Sequence, residues 1–105
     1  MATLFTKIIQ REIPAKIEYE DEKIIVIHDI LPQAKIHLLI IPKKEIPTIN
    51  DISSEDTKLI WEMFMVARNI AEKLEISEWY KLAFNVWAQW WQEIFHIHLH
   101  LTSEL

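Results

Sequence analysis

From Phe95 to Leu101 the chain reads Phe-His-Ile-His-Leu-His-Leu, and this strict alternation admits one simple backbone. An extended strand sends successive side chains to opposite faces, so His96, His98 and His100 share one face while Phe95, Ile97, Leu99 and Leu101 share the other. A helix would scatter both sets. The apolar set needs a second layer to bury against. The three imidazoles are costly to bury unless each finds a partner. A single histidine in a strand is ordinarily a satisfied core or surface residue. Three in alternation, close to a polar Asn/Gln loop, point to a site.

The rest of the chain supplies that second layer. Ser53 to about Glu75 reads as a long helix, with Ser53 as N-cap and Asp56 at its positive end. Ile60, Met63, Ala67, Ile70 and Leu74 recur at helical spacing, and Phe64, Met65 and Ala71 widen the apolar face. Lys16–Tyr19 and Lys23–His28 flank the acidic turn Glu20–Glu22 and read as a hairpin. Ile36–Pro42 is a third strand, closed by a proline that cannot donate to a ladder. Tyr80–Val86 and Ile94–Leu101 are the last two, joined by the loop Trp87–Glu93. Strands grouped around one long helix give an α+β fold with an antiparallel sheet. At 105 residues, one domain spanning 1–105 is expected.

Composition narrows the function classes. There is no cysteine, so disulfides and thiolate zinc sites are excluded. The charged opening MATLFTKIIQREIPAK does not read as a signal peptide, and no apolar run is long enough to span a membrane. The cytosol is the expected location. A net charge of −5 argues against a broad nucleic-acid surface, though a locally positive pocket can still take a small phosphate.

Two chemistries fit the histidine cluster. Imidazole is the commonest nitrogen ligand for zinc, although neighbours on one strand face rarely converge on one ion without help from another element. A neutral imidazole can alternatively attack phosphorus, giving a phosphohistidine that water hydrolyses, while nearby histidines fix its tautomer and share a proton.

His96-Ile97-His98-Leu99-His100-Leu101 resembles the HxHxHxx signature of the histidine-triad (HIT) superfamily. Ile27-His28-Asp29-Ile30-Leu31-Pro32-Gln33-Ala34-Lys35-Ile36-His37 resembles that family's HDISPQAPxH segment, and Ile40-Ile41-Pro42-Lys43-Lys44 its IPKK. Phe5–Ile9 and Glu12–Lys16 are similar to its first helix and turn, and Asn85 and Gln92 fall where its phosphate loop has NxG…GQ. The resemblance covers nearly the whole chain and runs closest to the nucleoside phosphoramidase branch. It implies a HIT-like fold: a five-stranded antiparallel sheet with one long helix and a short N-terminal helix, the sheets of two copies joining across a homodimer. It implies hydrolysis of purine nucleoside 5′-phosphoramidates or related monophosphate conjugates, with no metal or other cofactor. His98 would be the nucleophile, His100 would contact phosphate and assist the leaving group, His96 would orient His98, and His37 would complete the cluster. Asn85, Gln92 and Glu93 would serve the phosphate loop, with Asp29 and His28 on the nucleotide and Asp29 at the ribose hydroxyls. Phe5, Ile8, Ile27 and Ile30 would form a slot for an AMP-like purine. The alternatives are a dinucleoside polyphosphate hydrolase, a non-catalytic nucleotide-binding or interaction module, and a histidine-metal protein.

One number stands apart. The chain has no glycine, where about seven would be usual, and it has five tryptophans. Trp61, Trp79, Trp87, Trp90 and Trp91 all fall where the resembled family commonly has glycine. UGA is read as glycine in some genetic codes and as tryptophan in others, so the pattern points to five glycines written as tryptophan. Deliberate aromatic redesign of the loop is the other explanation.

Overall fold

The computed structural model describes residues 2–105. A short helix α1 (Leu4–Ile9) precedes β1 (Ile17–Glu20), β2 (Ile24–His28) and β3 (Ile36–Pro42). The long helix α2 (Thr57–Lys73) follows, then β4 (Lys81–Phe84) and β5 (Leu99–Ser103), with 3-10 turns at Ile49–Asp51, Ser54–Asp56 and Ala88–Trp90. All five strands join one antiparallel sheet in the order β1-β2-β3-β5-β4. The α+β reading and the five strands stand as the sequence implied.

The middle strands are buried on both faces, which explains why β2 and β3 read as continuous apolar runs rather than alternating ones. Ile24, Val26, Leu38 and Ile40 face α2 and pack with Met63, Ala67, Ile70, Leu99 and Leu101. Ile25, Ile27, Leu39 and Ile41 face the other way and pack with Phe5 and Ile8 of α1. The sheet therefore has a thick core under α2 and a smaller one under α1.

Turns are closed without glycine. Between β1 and β2, Asp21 Oδ1 accepts from the backbone N–H groups of Lys23 and Ile24 at 2.8 and 2.9 Å. Both helices end in a Schellman arrangement, Ile76 N–H returning to Ala71 O and Glu12 N–H to Lys7 O. The left-handed residues that this requires are Glu75 (φ 60°) and Arg11 (φ 65°), positions where glycine is the usual choice.

Most element ends differ from the sequence reading by a residue or two, and two starts differ for a physical reason. Ser53 does cap, but it caps the 3-10 turn Ser54–Asp56, accepting from Glu55 N–H while Asp56 reaches back to Ser53 N–H; α2 itself starts at Thr57. The fifth strand starts at Leu99 rather than Ile94. Its last pair with β3 is Ile40–Leu99, and Pro42 ends β3, so Ile97 N–H turns instead to Ile46 O at 2.8 Å. Among the described residues no helix is long and apolar enough to cross a membrane.

Leu101 is fully buried and pairs with Leu38 on one side and Leu82 on the other. Leu101→Ala is expected to lower stability by about 2–5 kcal/mol through lost contact and a residual cavity. A urea titration should show a lower midpoint at unchanged slope, and an unchanged midpoint would contradict this packing.

Candidate active site

The α1 face of the sheet carries the histidines. Phe5 fixes the near end, its ring meeting His98 edge-on at 4.9 Å and His96 at 6.0 Å. His98 and His100 rings lie 4.8 Å apart, and His37 is brought beside His100 by the β3–β5 pairing, ring centroids 5.2 Å apart. His96, His98 and His37 are buried and His100 is half-buried.

Hydrogen bonds fix where each proton sits. The carbonyl of His96 can only accept, so His98 Nδ1, 2.8 Å away, carries the proton and Nε2 is left with a free lone pair. The backbone N–H of Gln33 can only donate, to His37 Nδ1 at 3.1 Å, so His37 holds its proton on Nε2. That proton points at His100 Nδ1, 2.9 Å away, with Asp29 Oδ2 at 3.5 Å. His100 therefore keeps its proton on Nε2, and the Asn85 amide, 3.5 Å away through Nδ2, must turn its oxygen to that N–H to bond it. His96 donates from Nε2 to Pro42 O at 2.6 Å, and its Nδ1 is buried without a partner. Two ring nitrogens are thus bare, His96 Nδ1 and His98 Nε2, and the His98 ring lies next to the Nε2–H ring of His100.

Burial keeps these imidazoles neutral. It is the leading cause lowering the pKa of His37, His96, His98 and His100, because a low-dielectric surrounding disfavours the charged form. His100 falls to about 4, burial being reinforced by His98 and His37.

The loop residues separate into two kinds. Gln92 is buried and wholly engaged. It accepts from Trp87 N–H at 2.9 Å and donates to Pro47 O and Ile94 O at 2.7 and 3.1 Å, so it supports the loop's backbone. Asn85 sits at the cluster itself. Glu93 is exposed. Asp29 closes its own turn by accepting from Leu31 N–H at 2.9 Å, its other oxygen facing His37.

Other expected residues are not gathered there. His28 belongs to the α2 face, on the same side of β2 as Ile24 and Val26, and pairs with Glu18 at 2.9 Å. Strand parity is the reason, since His28 is one residue from Ile27, which faces the site. Phe5, Ile8 and Ile27 pack as core with Ile25, Leu39 and Ile41, and of the four slot residues only Ile30 is open, on the loop after β2. The sequence reading missed Gln33, whose N–H sets the His37 tautomer, and Lys81, which acts on His100 electrostatically. Lys81 was legible in principle, being two residues from Ala83, which pairs with His100.

The metal reading shifts place. Among the described residues the donor atoms that converge are those of Asp29, His37 and His100, all within 4.8 Å of one another, and not the alternating triad.

Comparison with known proteins identifies relatives of the whole chain. A family model described as "Scavenger mRNA decapping enzyme C-term binding" matches residues 2–104. The purine nucleoside phosphoramidase of Escherichia coli (strain K12) is 47% identical over 102 residues, 96% of this chain and 86% of that protein. The crystal structure of a HIT family hydrolase from Legionella pneumophila Philadelphia 1 superposes with a TM-score of 0.96 at 47% identity, covering 99% of this chain and 94% of that one. A HIT family hydrolase from Clostridium thermocellum gives 0.94 at 39% identity, covering 98% and 90%.

The neutral cluster has a pH signature. His100 titrates near 6.5 when unfolded and about 4 when folded, so below 6.5 the unfolded chain binds a proton that the folded one refuses. Stability is fully present above that point and falls as pH drops towards 4. Thermal melts between pH 7.5 and 4.5 should show this loss, and His100→Asn should flatten it. An equally steep fall in the variant would assign the effect to other groups.

Proposed function

The chain belongs to the histidine-triad (HIT) family, and on that footing we propose that it hydrolyses purine nucleoside 5′-phosphoramidates and related nucleoside monophosphate conjugates. The observation that carries this reading is the bare Nε2 of buried, neutral His98 beside the Nε2–H of His100.

Nε2 of His98 attacks phosphorus in line with the bond to the leaving nitrogen. As that bond forms, the phosphorus–nitrogen bond breaks and its electron pair stays on the amine. His98 becomes positively charged, and its Nδ1–H bond to the His96 carbonyl strengthens in step. A phosphoryl anion against His100 favours the protonated form of that ring, so on substrate binding it takes up one proton from solvent; it then hands one proton to the departing nitrogen and returns to neutral. Water then adds to phosphorus and returns a proton to His100, while the bond to His98 breaks and its pair goes back to Nε2. The product is the nucleoside monophosphate. His37, held by Gln33 N–H and Asp29, keeps His100 in its working tautomer, and His96 orients His98 through its carbonyl.

In this reading Asn85, 3.5 Å from His100, takes a phosphoryl oxygen, Gln92 holds the loop around it, and exposed Glu93 borders that loop. Asp29 faces the same corner and suits a ribose hydroxyl, with Ile30 beside it as the open apolar contact for a purine. Each side chain completes its role without a metal or other cofactor.

The same reading makes the protein a homodimer working in the cytosol. β4 is an unpaired edge of the sheet, and Ile52, Ile60 and Phe64 line an apolar groove beside α2. A second copy pairing β4 with β4 would close both, so sedimentation should give twice the chain mass at micromolar concentration. A monomer would remove this part of the proposal.

Adenosine 5′-phosphoramidate is the substrate to try. His98→Ala should lose at least about a thousandfold in kcat, as loss of a nucleophile does, while a thermal shift with AMP persists. His100→Ala should lose roughly a hundredfold or more, the range of a proton donor. Chelator should leave the rate unchanged. Turnover surviving in His98→Ala would remove the mechanism, and turnover lost to chelator would move the chemistry to a metal at Asp29, His37 and His100.

A further inference from the structure

Glycine is absent from all 105 residues, and tryptophan occurs five times. The structure adds two facts about those tryptophans. Every one is exposed: Trp61 at 65%, Trp79 at 57%, Trp87 at 58%, Trp90 at 63% and Trp91 at 67%. Tryptophan ordinarily contributes by burying a large surface, yet not one of the five joins either core. In the loop the indoles lean on each other or on half-exposed Phe95, with Trp90–Trp91 centroids at 5.0 Å and Trp87–Phe95 at 5.5 Å.

The second fact is backbone. Trp91 is left-handed at φ 63°, ψ 24°, which Arg11 and Glu75 show this chain also tolerates elsewhere. Trp87 is different. At φ 73°, ψ 155° it occupies a region that is essentially restricted to glycine, since any Cβ there clashes with the neighbouring peptide. Its backbone is held in place by Gln92 Oε1 on its N–H and by the N–H groups of Trp90 and Gln92 on its carbonyl. The surrounding bonds call for a residue without a side chain, and the chain writes its largest.

The five positions share no structural context: one lies on α2, one precedes β4 and three lie in the loop before β5. Selection for local shape would not remove one residue type completely and install another at sites so unlike. A single codon read two ways would. We propose that positions 61, 79, 87, 90 and 91 are glycine in the protein its own cells make, with UGA serving there as a glycine codon. Replacing the three loop indoles by hydrogen atoms would let an anion approach the loop backbone between Asn85 and Gln92 more closely.

The test is intact mass and peptide sequencing across residues 87–91 on protein purified from its source cells. Glycine at all five positions is expected, and tryptophan at any of them overturns the proposal. This readout does not depend on activity, so it stands apart from the catalytic assay. The backbone geometry at residue 87 has its own test in recombinant protein. Trp87→Gly should raise the melting temperature by roughly 4–8 °C. A melting temperature that stays level or falls would show that residue 87 is not held in the glycine region, and would overturn the backbone argument on which the proposal stands.

Discussion

The antiparallel pairing of β3 with β5 is the contact on which the rest depends. Its register sets Leu39 opposite His100 and Thr102 opposite His37, so one run of backbone hydrogen bonds brings together imidazoles 63 residues apart in sequence. The same register turns Leu38, Ile40, Leu99 and Leu101 into the core beneath α2. A slip of one residue would exchange the two faces, burying His100 under the helix and exposing the leucines. Stability and site geometry are therefore fixed by one register.

Where that pairing stops is equally consequential. β3 ends at Pro42, and the segment from Ile94 to His98 must find partners outside the ladder. His96 turns to the Pro42 carbonyl, Ile97 to the Ile46 carbonyl, and His98 to the carbonyl of His96. A ladder would have occupied that last carbonyl with a backbone N–H. Free of the ladder, it takes the His98 Nδ1 proton and leaves Nε2 bare. Burial completes the preparation by holding the ring neutral at ordinary pH.

Loop and turn chemistry shows how far side chains can replace glycine. Asp21 closes the first hairpin with its carboxylate, and Arg11 and Glu75 fill left-handed helix ends, a conformation that a residue with a Cβ adopts at modest cost. The loop around residue 87 has no such substitute. Its backbone lies where the Cβ itself is the obstacle, so no polar side chain can compensate.

The sequence by itself determined the parts written as local periodicity or as a dense motif. Period-two alternation at 97–101 set His98 and His100 apart from Ile97, Leu99 and Leu101, helical spacing gave α2, and the motifs around His37, Pro42 and His98 gave the family. It also held the glycine anomaly in plain view. Tertiary structure decided what periodicity cannot carry. It set α2 to begin at Thr57, because capping signals do not say whether the first turn is 3-10 or α. It placed His28 on the far face and sealed Phe5, Ile8 and Ile27 into core, because apolar side chains read alike whether they line a slot or fill a layer. And it assigned each ring proton, because a tautomer depends on which backbone group lies opposite. Those groups, at Gln33, Pro42 and His96, are main-chain atoms that every residue possesses and no sequence pattern marks.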